Sequence, residues 1–164
     1  MDAYTKKVRL VALERDGKPI YNSSLDHAAI LSAAMFEHAS NEVCILTGKL
    51  DAKVYGREGV VENARIFLSR PDRKIRVLVE HLEEVDQKDH PFTKEFSDNS
   101  DVEIRALNVD QHKVPFHFIV MDRDSYRFEK DKNVPSAVAA FGDSKGGENL
   151  TRIFDEMWKC SGTA

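Results

Sequence analysis

Two short apolar runs, Val43-Cys-Ile-Leu-Thr47 and Ile75-Arg-Val-Leu-Val79, leave this chain few ways to fold. Runs so short and so continuously apolar fit strands buried on both faces. Between them Val60, Val61, Ala64, Phe67 and Leu68 fall on one helical stripe, and Pro71 ends it. Residues 43–79 therefore read as strand, helix, strand, and a parallel pair joined in this way crosses over right-handed. A chain committed to that unit folds as an α/β protein.

The flanking segments extend the pattern. Ser23 or Ser24 can cap a helix with Leu25, Ala28, Leu31, Ala34, Met35 and Phe36 at spacings of three and four, ending near Ser40-Asn41. Upstream, Val8–Glu14 has strand character and Arg15-Asp16-Gly17-Lys18 offers a turn. Residues 1–22 are thus expected as an N-terminal strand or hairpin extension. Downstream, the charged stretch 80–100 holds a short helix around Phe92–Phe96, and Val102–Leu107 alternates like a half-buried strand. Val114–Met121 and Ser125–Glu129 form a hairpin around Arg123-Asp124, Ala137–Phe141 adds a strand, and Leu150, Ile153, Phe154, Met157 and Trp158 give the last helix one broad apolar face. The expectation is one domain over residues 1–164, with its core in 24–160: a mixed β-sheet flanked by helices.

Composition narrows the function classes. With 24 Lys+Arg against 28 Asp+Glu, the net charge of −4 gives no general attraction to nucleic acid or to an anionic membrane. No apolar run approaches the roughly 20 residues of a bilayer span, and the first residues lead into no signal-peptide core, so a cytoplasmic protein is expected. Cys44 and Cys160 lack the short Cys/His spacings of a zinc site and are expected as reduced thiols.

The segments His117-Phe-Ile-Val-Met-Asp122, Ser125–Glu129, Ala137-Val-Ala-Ala-Phe-Gly-Asp143 and Ile153–Trp158, with the two apolar runs, resemble a single repeat of the phospholipase D superfamily over roughly residues 24–160. The resemblance implies a phospholipase D-like sandwich. It also implies a homodimer, because single-repeat members pair about a two-fold axis to build one site. The family signature is H-x-K-x-x-x-x-D, with histidine attacking a phosphodiester and lysine holding its oxygens. With Asp122 at the family's Asp, the lysine position is His117 and the histidine position is Pro115, and no His-x-Lys occurs anywhere in the chain. Proline has neither nucleophile nor titrating proton. The resemblance thus implies a degenerate module that binds or assembles, a bacterial accessory protein with a partner protein or a phosphate-containing ligand.

The residues themselves leave alternatives. With an odd hairpin turn His117 shares a sheet face with Arg127 and Glu129, and with an even turn it shares one with Tyr126 and Phe128. The first register would let His117 and Glu129 serve as catalytic groups of a non-standard phosphodiesterase or nuclease, with Arg127 binding the anion; the second would leave an apolar site. Lys49, Lys53, Tyr55 and Arg57 make the loop after the first buried strand a second candidate binding element, for phosphate or nucleic acid. Asp122 reads as a turn cap. Glu80, His81, Glu83, Glu84, Asp86 and His90 have no recognised metal-site spacing and read as a charged loop, and no cofactor motif is present; Gly48-Lys49 is not part of a P-loop.

Overall fold

The computed structural model describes residues 2–163. Its eight strands, numbered in chain order, lie in the sheet as β1 (Ile20–Asn22), β7 (Ala137–Phe141), β6 (Ser125–Glu129), β5 (His117–Met121), β2 (Glu42–Thr47), β3 (Lys74–Val79), β4 (Val102–Ala106) and β8 (Gly162–Thr163). β2, β3 and β4 are parallel, whereas β5 joins β2 antiparallel and begins an antiparallel series through β6 and β7 to β1. The mixed α/β sheet expected from the sequence is the one observed.

Side-chain alternation divides the core in two. Val43, Ile45, Ile75, Val77, Ile119, Met121, Ala139 and Phe141 face the helices α1 (Ala3–Glu14), α2 (Leu25–His38), α3 (Glu58–Leu68) and α4 (Pro91–Phe96). Cys44, Leu46, Leu78, Phe118 and Val120 face α5 (Ser144–Lys159) alone, where Leu150, Phe154 and Met157 complete a second cluster. The strands between are covered on both sides, which is why β2 and β3 carry no polar alternation. Cys44 is buried and Cys160 exposed, and both are free thiols.

Two expectations are corrected. Residues 3–14 form a helix, not one arm of a hairpin: Asp2 caps it by accepting from Thr5 N at 2.8 Å, and Tyr4, Val8, Val11 and Ala12 make a stripe packed on the core. Six consecutive mainly apolar residues satisfy a strand and a buried helix equally, and here the i, i+4, i+7, i+8 positions set the outcome. Of the expected extension only β1 is a strand, and it pairs with β7. The run from Val114 also enters the sheet late, at His117. Pro115 has no N–H for a ladder, and its carbonyl instead accepts from Lys132 N at 2.7 Å.

The link after α1 is pinned by a close approach. Gly142, at φ 86°, lies so near Arg15 that a Cβ there would sit 2.1 Å from the Arg15 carbonyl oxygen. Arg15 in turn donates to both carboxylate oxygens of Asp124, at 2.7 and 2.6 Å, tying α1 to the β5–β6 turn.

Candidate functional site

Parallel strands deliver their carboxyl ends to one edge of a sheet, where open α/β folds gather ligand groups. Here β2 ends at Thr47 and β3 at Val79, and the antiparallel β5 starts beside them with Phe118 opposite Leu46. A cleft of about 470 Å³ opens at that edge. The loop after β2, the residues after β3, the first residue of β5, the last part of β6 and residues 132–135 line it.

The β5–β6 register decides its chemistry. Asp122, Arg123 and Asp124 make a three-residue turn, so His117 stands opposite Glu129 and Ile119 opposite Arg127. This is the odd-turn register, and His117, Arg127 and Glu129 share one face. Arg127 is 5% exposed. It donates from Nη1 to Glu129 Oε1 at 2.7 Å, from Nε to Asn22 Oδ1 at 3.1 Å and from Nη2 to the Pro135 carbonyl at 3.4 Å. A buried guanidinium requires such partners.

Glu80, the residue after β3, is the other centre. One carboxylate oxygen is paired with Nε2 of His117, and the other accepts from Lys132 Nζ at 2.8 Å. Burial raises the Glu80 pKa, but the hydrogen bonds and charges of Lys132 and His117 outweigh it and hold the carboxyl below its ordinary range. Gly48 leaves room for the His117 ring, because a Cβ there would lie 3.1 Å from its Cε1. Tyr55 lies buried at the cleft wall, where burial pushes its phenol above the ordinary value.

The candidates of the loop after β2 divide. Lys49 and Tyr55 line the cleft with His117, Arg127 and Glu129. Lys53 and Arg57 border a separate depression, and Arg57 is committed to Asp26 at 2.5 Å and to the Lys53 carbonyl at 2.7 Å. Asp122, expected as a turn cap, spends its carboxylate outside its own turn: it accepts from Ser40, Asn41 and Glu42 N–H groups at 2.6, 2.7 and 3.0 Å, joining the hairpin to the start of β2.

The acidic stretch also divides. Glu80 belongs to the cleft, while His81, Glu83 and Glu84 lie exposed within 4.8 Å of one another. His90 is buried, accepting from Phe92 N at 3.1 Å and bonded to the Leu50 carbonyl at 2.6 Å. Lys132 was invisible in the sequence pattern, because only the folded β6–β7 connection brings it to Glu80. The signal available for Glu80 was its place immediately after a central parallel strand.

Residues 24–164 match the family described as "Domain of unknown function (DUF7931)". No curated protein matches the sequence. Among solved structures the chain is similar to TrmBL2, an archaeal chromatin protein described as showing a novel mode of DNA binding, with TM-score 0.68 and 15% identity; the likeness covers 99% of this chain and 61% of that one. It is similar to NucT from Helicobacter pylori, with TM-score 0.64 and 9% identity over 91% of this chain and 100% of that one. It is also similar to Nuc from Salmonella typhimurium, a phospholipase D family member, with TM-score 0.60 and 12% identity over 90% and 99% of the two chains. At these identities the likeness establishes the fold, which is phospholipase D-like. No described helix is long and apolar enough to cross a membrane.

Proposed function

The chain belongs to the DUF7931 family, and on its phospholipase D-like fold we propose that it is a degenerate binding or assembly module holding an anionic, phosphate-type group in the strand-end cleft without cleaving it. The observation that carries this reading is the content of the motif position. Pro115 stands where the resemblance requires the nucleophile, and His117 stands where it requires the lysine, with Nε2 committed to Glu80. Covalent phosphoryl transfer needs a nucleophile that can give up a proton and a group that receives it. Proline supplies neither, whereas His117, Lys132, Lys49 and Arg127 still converge as donors that can hold oxygens.

Pairing of single repeats in the resembling superfamily supports a homodimer, with the two clefts serving one shared partner. A nucleic-acid strand is one phosphate-bearing ligand consistent with the description of TrmBL2, although the −4 net charge supplies no long-range attraction for it.

A second reading has its own support. The His117–Glu80 pair is the arrangement in which a carboxylate orients an imidazole for proton transfer, so His117 with Arg127 and Glu129 could serve a non-standard phosphodiesterase. Incubation with bis(para-nitrophenyl) phosphate and with plasmid DNA separates the two. The binding module yields no product, and it retains phosphate in a titration that Lys132→Met weakens. Turnover lost in His117→Ala would establish the enzyme and remove the first reading. Sedimentation as a monomer at all concentrations would remove the homodimer.

A further inference from the structure

We propose that Glu80 is a built-in occupant of the cleft, a carboxylate held where the ligand's anionic group binds, which an incoming ligand must displace. The inference rests on the anion-binding reading of the cleft and adds how access to that site is controlled.

The Glu80 backbone is fixed, since its N–H donates to the Thr47 carbonyl at 3.0 Å. The side chain is 7% exposed and its two oxygens bridge two nitrogen donors from different elements, His117 on β5 and Lys132 on the β6–β7 connection. A phosphate or carboxylate ligand would offer the same two-oxygen bridge. The remaining donors offer a poorer seat: Arg127 already spends three of its five N–H groups on Glu129, Asn22 and Pro135, and Lys49, without an ion pair among the described residues, is a single exposed ammonium that cannot make the two-sided bridge.

An anion entering beside ionised Glu80 meets like charge in a partly desolvated space, which costs far more than the same encounter in water. The ligand therefore gains His117 and Lys132 only as the Glu80 side chain rotates away from them. The fixed backbone and the free torsions of a glutamate side chain allow this without unfolding the strand. Of residues 132–135 only the Lys132 side chain is tied to this carboxylate; the backbone there is held by the Pro115 carbonyl at Lys132 and by Arg127 at Pro135, so the segment keeps its place as Glu80 leaves.

The test is a calorimetric titration of wild type and Glu80→Gln with inorganic phosphate, with far-ultraviolet circular dichroism to confirm the fold. Glutamine keeps the size and removes the competing charge, so Glu80→Gln binds phosphate about tenfold tighter or more. Phosphate should also raise the melting temperature of Glu80→Gln more than that of wild type. Lys132→Met in either background weakens binding, and Glu80→Ala serves the same comparison if the amide variant fails to fold. A native Glu80→Gln that binds phosphate no tighter than a wild type which itself binds overturns the proposal alone. Binding by neither protein overturns the anion-binding reading beneath it.

Discussion

Asp122 has a left-handed backbone, φ 52°, which an aspartate tolerates better than most residues, and it spends its carboxylate on three backbone N–H groups at the start of β2. Removing one acceptor strands all three donors, two of them at exposed positions where water substitutes. Asp122→Ala is therefore expected to cost about 1–3 kcal/mol in urea denaturation, with Asp122→Asn retaining part of the loss. Glu80 and Glu42 give the pH dependence. For both, burial acts upward, but Lys132 and His117 at Glu80, and Arg76 with Lys74 at Glu42, bring the carboxyl below its ordinary value. A group depressed in the folded state stabilises fully above its unfolded pKa and loses that contribution as pH falls through the folded value. Melting temperature should thus decline below the ordinary carboxylate range, and Glu80→Gln should show a shallower decline. An unchanged slope in that variant would contradict the pairing of Glu80.

Among the described elements α5 is the one helix on its face of the sheet, so its anchors matter most. Phe154 is fully buried with its ring 6.5 Å from Phe118 and 5.6 Å from Trp158, while Trp158 is only partly buried and stacks against the guanidinium of Arg105 at 4.1 Å. Phe154→Ala is expected to cost about 3–5 kcal/mol and Trp158→Ala less, with His117→Ala the mildest of the three. A Phe154→Ala protein with the wild-type denaturation midpoint would show that α5 does not carry its face. The same element was legible in the sequence because its apolar stripe is long and strictly periodic. By contrast α1 has a six-residue apolar stretch that both periods accommodate, and the deciding contacts, Tyr4 stacked on His27 at 3.5 Å and Arg15 on Asp124, are tertiary. β8 is two residues long and exists by pairing with β4, which no local pattern announces.

At the scale of the whole molecule, the strand-helix-strand unit at 43–79 placed the carboxyl ends of β2 and β3 together, and the site lies at that edge. The sequence offers His117, Arg127 and Glu129 on one face as one of two open registers, since alternation on a hairpin is a matter of parity, and the three-residue turn of the structure selects it. The partners that give those residues their state were not legible there. Glu80 looked like one acid among several, and Lys132 reaches it across a connection whose path depends on Pro115 and β7. The basic loop after β2 has two sides: Lys49 and Tyr55 line the cleft, whereas Lys53 and Arg57 border a separate depression.

The central claim is that this cleft holds a phosphodiester-type anion and does not cut it. Phosphorus-31 magnetic resonance of bis(para-nitrophenyl) phosphate mixed with the protein reads both halves at once. The resonance is expected to broaden with added protein, to narrow again when Lys132→Met replaces wild type, and never to give way to a phosphomonoester signal. A monoester signal that grows with time and vanishes in His117→Ala, or a resonance that wild-type protein leaves unbroadened, would contradict it.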